Sequence, residues 1–195
     1  ISTRELADMI REAGIKFADL EDGEYDSPLG DSTGAGVIFG ATGGVLEAAL
    51  RTAADWIAKK DIQAIDFEAV RGLEGIKEAT VDVGGLKLRA AVCAGLGNAR
   101  QLLERIRRGE ADYHAIEIMA CPGGCINGGG QPYHHGDTTI LEKRLAAIYR
   151  DDRNHTIRKS HQNPSIIRLY KEFLGEPGSP LAHHLLHTHY VNRQK

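Results

Sequence analysis

Two thiols share one glycine-rich stretch, Met119-Ala-Cys121-Pro-Gly-Gly-Cys125-Ile-Asn-Gly-Gly-Gly-Gln-Pro132. Thiolates bind soft metals, and iron–sulfur clusters need N–H donors around them to spread their negative charge. Five glycines in this stretch lack Cβ atoms, so the backbone can approach a bulky group and aim amides at it. Pro122 stiffens the loop between the two cysteines. On pattern alone a redox disulfide, a pair of buried thiols in a tight turn and a structural zinc site also stay open. The Cys-x-x-x-Cys spacing is not the Cys-x-x-Cys of thioredoxin-like motifs, and zinc needs four ligands where no partner pair has zinc-ribbon spacing. The pattern therefore favours a cluster or metal. A [4Fe–4S] cube usually takes four cysteines. The chain has three, Cys93, Cys121 and Cys125, so a cube held here takes at least one ligand from elsewhere.

Composition excludes several other functions. With 195 residues, 42% of them hydrophobic, the chain can bury one core of moderate size. The 24 basic and 27 acidic side chains leave a charge of −3, which suits neither a disordered polyampholyte nor a nucleic-acid-binding domain. No run approaches the ~20 apolar residues of a membrane span. An odd cysteine count without a signal peptide points to a reducing, cytoplasmic setting. Of the 23 glycines, ten fall in residues 34–44 and 121–131. A chain that opens with Ile1 inside the capping box Ser2-x-x-Glu5 is expected to be cut from something longer.

The elements that must position the loop can be read from periodicity and punctuation. A first helix is predicted from Thr3 to Ala13, with Leu6, Ala7, Met9 and Ile10 inward and Gly14 ending it. An acidic loop, Asp19 to Asp31, follows, with Pro28-Leu29-Gly30 as turn signals. The second glycine-rich stretch, Thr33 to Gly44, leads into a long helix whose Val45, Leu46, Ala49, Leu50, Ala53 and Ile57 repeat on one face. Residues 61–75 read as irregular. Strands at 76–83 and 86–93 joined by Gly84-Gly85 read as a hairpin. Asn98 is expected to cap a helix to Arg108, and residues 114–120 form a further strand running into Cys121. A strand, a helix and another strand require a parallel crossover, so the fold class is α/β with a mixed sheet and flanking helices. In such folds ligands gather beyond the carboxyl ends of strands, where the cysteine loop sits. Asp137, Asn163-Pro164 and Ser179-Pro180 open three later helices.

Other tempting features have plainer explanations. Gly34-Ala-Gly36 and Gly40-Ala-Thr-Gly-Gly44 complete neither a dinucleotide fingerprint nor a phosphate loop, since Phe39 holds the third glycine position and no Gly-Lys-Ser/Thr follows. Close packing explains them better. His183, His184, His187 and His189 include an i,i+4 pair but not H-E-x-x-H, and packed or solvent-facing imidazoles are expected. His134-His135 reads as a turn, and Arg105 to Arg108 as a basic helix end. Residues 141–195 hold 10 basic and 5 acidic residues, so a basic tail could lie against an acidic body.

The loop from Met119 through Pro132 resembles the third cysteine signature of the [FeFe]-hydrogenases. The stretch Ser32 to Arg51, with Ile-Phe39-Gly40-Ala-Thr-Gly-Gly44, looks like that family's glycine-rich segment. The end, from Arg158-Lys-Ser-His-Gln-Asn-Pro164 to Leu-Leu-His187-Thr-His-Tyr190, resembles its small-subunit region. The resemblance spans essentially the whole chain.

It implies an H-cluster, a [4Fe–4S] cube joined to a diiron subcluster with CO, cyanide and azadithiolate ligands, and the reaction 2 H⁺ + 2 e⁻ ⇌ H₂. Cys121 would ligate the cube alone, and Cys125 the cube and the diiron unit. Gly40, Gly123 and Gly124 would wrap the cluster, Met119 would flank the diiron unit and Phe39 would wall the pocket. The family's two upstream signatures, its acidic relay and its cyanide-contacting lysine are not in this sequence, which implies a C-terminal part that needs the upstream half of the same hydrogenase. Residues 1–154 would be the catalytic portion and 155–195 the small-subunit-like tail. Ferredoxin or an NAD(P)H-linked subunit would exchange electrons, the acidic lead-in at residues 20–30 looking most like NAD(P)H-coupled or bifurcating enzymes. Cys93 matches no signature cysteine and reads as a buried strand thiol. The alternative is a hydrogenase-like protein of iron–sulfur assembly or sensing, without hydrogen turnover.

Overall fold

A computed structural model describes residues 1–23 and 30–193. Pro28 and Leu29 of the expected acidic-loop turn lie outside the described residues. Helix α1 spans Thr3–Glu12, and its capping box forms as the sequence indicates: Glu5 N donates to Ser2 Oγ, and Ser2 N donates to Glu5 Oε2 at 2.7 Å. The inward face expected for it is not inward. No residue of α1 is buried, and Leu6 and Met9 are 46% and 53% exposed, because among the described residues no element covers that face.

Strands β1 (Ile76–Val83) and β2 (Leu86–Ala94) pair antiparallel through the Gly84-Gly85 turn, and β3 (Ala115–Met119) pairs parallel with β2. The order β1-β2-β3 is the mixed sheet that the crossover argument requires. The short helix α2 (Gly34–Val37) precedes α3 (Gly44–Ala58), whose Leu46, Leu50 and Ala54 pack on Val81, Val83, Ala90 and Val92 of one sheet face. The crossover helix α4 (Leu96–Arg107) covers the other face, setting Ala99 and Leu102 against Ala91 and Cys93. Cys93 is fully buried, as a strand thiol should be, and burial pushes its pKa up with help from the Glu117 charge. Asn98 does not cap α4: it lies inside the helix and its amide donates to the Ala94 carbonyl, while Gly95 holds the cap position.

Later helices include α5 (Thr138–Asn154), α6 (Pro164–Leu169), a π-helical turn at Tyr170–Leu174, and α7 (Pro180–Leu186). Asp137, Asn163 and Ser179 cap α5, α6 and α7 as expected. Leu145, Ile148 and Tyr149 of α5 pack on Ala35, Ile38 and Ala41 of the glycine-rich stretch, which confirms the close-packing reading of those glycines.

The buried face of α3 is wider than its apolar residues indicate. Glu47, Arg51 and Asp55, four residues apart, are all buried, whereas Val45, Ala49 and Ile57 of the expected face are exposed. Arg51 is 0% exposed and reaches both Asp152 oxygens, at 2.6 and 2.9 Å, and Glu47 at 2.8 Å. Arg71 grips both Glu47 oxygens, and Arg158 joins Asp152 to Asp66. Lys159 holds both Asp55 oxygens at 2.8 Å and Asp61 at 2.5 Å. Here the basic tail does lie on acidic groups of the body.

Removing one partner from such a network leaves buried charge uncompensated, which costs about 3–5 kcal/mol. Arg51→Leu should therefore lower unfolding stability by that amount, read from urea midpoints. Burial opposes ionisation of Asp55, Asp66 and Asp152, but hydrogen bonds and charge from Lys159, Arg158 and Arg51 outweigh it and hold all three below the usual carboxylate range. Their contribution is complete above the unfolded value of about 3.9 and is lost as pH falls through the lower folded values. The urea midpoint should show no loss from these groups between pH 5 and pH 7 and should decline below about pH 4.

Candidate metal centre

β3 delivers Met119 to the carboxyl edge of the sheet, where Gly95 N donates to its carbonyl at 2.8 Å. The chain then turns through Cys121 and Cys125, both free thiols, the first half-buried and the second exposed. Gly123 and Gly124 adopt φ of +82° and +86°, a region that disfavours side chains. A Cβ on Gly124 would lie 2.8 Å from Thr42 N and 2.9 Å from the Met119 sulfur. That approach brings the two glycine-rich stretches together, and Thr42 N donates to the Gly123 carbonyl across the junction.

Glu117 locks the same junction. Its carboxylate accepts from Gly43 N at 2.6 Å and Leu46 N at 2.8 Å, capping α3 from a neighbouring strand because Gly43 has no side chain to do so. Sequence reasoning missed this residue. Its signal was a lone carboxylate in Ile116-Glu117-Ile118, where strand alternation places it opposite the two isoleucines.

A cavity of ≈ 420 Å³ opens on the loop, lined by residues 1–3 and by Met119, Ala120, Cys121, Gly124, Cys125 and residues 128–131. The structure thus brings Met119, Cys121, Gly124 and Cys125 to one cavity. It does not bring Phe39, Gly40 or Gly123 into that lining. Phe39 is 46% exposed, a Cβ on Gly40 would meet Ile148 of α5 at 2.7 Å, and Gly123 faces Leu73. The tail histidines His183, His184, His187 and His189 are exposed, with His183 and His187 Nδ1 atoms 2.6 Å apart.

More of the loop's carbonyls than of its amides are paired. The carbonyls of residues 121 to 126 all accept hydrogen bonds, as do those of Gly128, Gly129, Gly130 and Pro132. The amides of Cys125, Gly129 and Gly130, all in the cavity lining, donate to no acceptor among the described residues. A wall with most of its acceptors occupied and three donors to spare suits an anionic, thiolate-held group. The donor set is incomplete, however. Among the described residues no three His, Cys, Asp or Glu side chains are grouped to hold a metal ion. The loop fits half of a cube's ligand set.

The family model described as "Iron only hydrogenase large subunit, C-terminal domain" matches residues 1–129, and that for "Iron hydrogenase small subunit" matches residues 138–193. The NADP-reducing hydrogenase subunit HndD of Solidesulfovibrio fructosivorans is 55% identical over the whole chain, which covers 33% of that protein. A solved [FeFe]-hydrogenase HydA1 from Chlamydomonas reinhardtii superposes with a TM-score of 0.76 at 42% identity, covering 98% of this chain and 55% of the other. The cytosolic iron-sulfur assembly component 3 of Mus musculus is 30% identical over 97% of the chain and 40% of its own length. The chain therefore spans only about a third to a half of the proteins it matches.

Glu117→Ala would orphan two buried amides at the start of α3, at about 1–3 kcal/mol. Amide exchange at Gly43 and Leu46 should accelerate, while the β1/β2 pairing, which Glu117 does not touch, keeps its protection.

Proposed function

The chain belongs to the iron-only hydrogenase family, and from that premise we propose that it is the C-terminal part of an [FeFe]-hydrogenase catalytic unit. The observation that supports this reading is the cysteine loop itself, two accessible thiols in a cavity where most loop carbonyls are engaged and the amides of Cys125, Gly129 and Gly130 are free. When bound, an H-cluster supplies the redox chemistry of 2 H⁺ + 2 e⁻ ⇌ H₂. Cys121 holds the cube, and Cys125 holds the cube together with the diiron unit. Met119 flanks that unit from the end of β3, with Gly124 admitting its sulfur. Gly40 and Gly123 keep the surrounding backbone close-packed, and Phe39 presents an apolar surface to the completed pocket. The amides of Cys125, Gly129 and Gly130 stabilise negative charge on the held group.

The remaining cube ligands and the proton route come from the upstream half of the same enzyme, and electrons from ferredoxin or an NAD(P)H-linked subunit. Residues 1–154 form the catalytic portion and 155–195 the small-subunit-like tail. No helix among the described residues is long and apolar enough to cross a membrane.

After anaerobic reconstitution and supply of the diiron precursor, the isolated chain should evolve no hydrogen, and adding the upstream half should restore activity. In that completed assembly Cys121→Ala and Cys125→Ala should each lower bound iron. Robust hydrogen evolution from the chain alone, or normal iron in both variants, contradicts the reading. Iron uptake without hydrogen from the completed assembly identifies the iron–sulfur assembly alternative instead.

A further inference from the structure

Most buried or half-buried guanidinium groups of this chain meet carboxylates: Arg51 meets Glu47 and Asp152, Arg71 meets Glu47 and Asp66, and Arg158 meets Asp66 and Asp152. Arg144 does not. It sits half-buried on α5, within 4 Å of no carboxylate among the described residues. Its Nη1 donates to the Ile126 carbonyl at 2.8 Å and its Nη2 to the Pro132 carbonyl at 2.7 Å. These two carbonyls bracket the run Gly128-Gly129-Gly130, which begins three residues after Cys125. On the far side of that run Arg4 of α1 donates from Nη2 to the Gly129 carbonyl at 2.7 Å and from its backbone to the Gly130 carbonyl, and stacks on Tyr133.

We propose that Arg144 is a positioning residue for the cluster site, one guanidinium spanning two loop carbonyls to hold them away from the cavity and bring an unneutralised positive charge to the Cys125 side. The inference rests on the proposed cluster-binding function. Three triple-glycine residues have little conformational preference of their own, so the direction of their peptide dipoles is set from outside. With Arg144 gone, the Ile126 and Pro132 carbonyls lose their donor, and the loop can turn acceptors toward an anionic group. Both effects disfavour added negative charge, so a bound cluster becomes harder to reduce. A lysine cannot replace the fork, because one ammonium is a point donor where the guanidinium reaches two carbonyls at fixed spacing.

The test uses the full-length hydrogenase polypeptide that contains this chain, reconstituted with iron and sulfide. Arg144→Ala should shift the cluster midpoint potential to a more negative value, alter the electron paramagnetic resonance line shape of the reduced cube, and speed iron loss to a chelator about tenfold or more. Arg144→Lys should restore part of the potential, through its charge, and little of the iron retention. Arg105→Ala removes a guanidinium paired with Glu78 on the surface and should change none of these. Unchanged potential, line shape and iron retention in Arg144→Ala overturn the proposal, whatever happens to its thermal stability. In metal-free protein, amide exchange at Gly128 and Gln131, whose N–H groups donate to the Cys125 and Gly128 carbonyls, reads the positioning role alone, and it should rise in both Arg144 variants. If wild-type protein takes up no iron, the functional reading fails while that exchange result still decides the role of Arg144. If Arg144→Ala does not fold, the lysine variant carries both measurements, and wild-type behaviour in it overturns the proposal.

Discussion

The bidentate contact between Arg51 and Asp152 is the constraint around which the other elements arrange. It joins the middle of α3 to the end of α5, 101 residues later, with both side chains fully buried. Two desolvated charges persist in a core only when their hydrogen-bonding capacity is filled, and here every Arg51 nitrogen finds an acceptor among Asp152, Glu47, Ile65 and Arg158. Three cations, Arg51, Arg71 and Arg158, face three anions, Glu47, Asp66 and Asp152. Charge balance alone does not make the network a net source of stability, since well-packed apolar groups of equal volume can do as well. What it adds is register. Apolar faces tolerate sliding, whereas a forked ion pair accepts one alignment of α3 against α5.

That alignment reaches the cysteine loop through two short steps. α3 begins where Glu117 takes its first amides, so fixing α3 fixes β3 and with it Met119. α5 carries Arg144, so fixing α5 fixes the carbonyls on either side of the triple glycine. Gly34 serves the same end. A Cβ there would lie 2.1 Å from an Asp152 oxygen, so this glycine is needed for contact with the ion pair and not for turning the chain. Gly44 is similar, with a Cβ position 1.7 Å from the Ile38 carbonyl. A dinucleotide-loop reading gives these glycines a ligand, whereas the structure gives them neighbours.

The features legible in the sequence are those decided within a few residues. The Ser2-Glu5 capping box, the Gly84-Gly85 hairpin, the proline-opened helices and the two-cysteine loop depend on local spacing, and all of them form, whereas the cap expected from Asn98 does not. The apolar face of α3 was misread because a periodicity built from hydrophobic residues is blind to a buried row of Glu47, Arg51 and Asp55. Their burial depends on Arg71, Arg158 and Lys159, whose arrival no local pattern announces. Glu117 and Arg144 escaped for the same reason, each being an isolated charge whose partners are backbone groups of a distant segment. The inward face assigned to α1 failed in the opposite sense. Its pattern is amphipathic, but among the described residues its Leu6 and Met9 have nothing to pack on. Of the candidate site residues, Met119, Cys121, Gly124 and Cys125, at or after one strand end, line one cavity, while Gly123 turns to Leu73, and Phe39 and Gly40, carried over from a separate stretch, do not line it.

Arg51 and Arg144 show how one residue type can serve opposite electrostatic ends. Around Arg51 two carboxylates cancel the charge, so at a distance the group contributes little field and acts as a rivet. Around Arg144 the acceptors are neutral carbonyls, which satisfy its hydrogen bonds without cancelling its charge. The uncancelled charge stands beside the cavity that holds two thiols. A thiolate pair needs such a charge nearby, because gathering two anions at one place is otherwise opposed by their mutual repulsion. Carboxylates near Arg144 would make a tighter fold and a poorer site. Asp152, at the opposite end of α5, is committed to Arg51 and Arg158, while toward the loop Arg144 meets only backbone carbonyls.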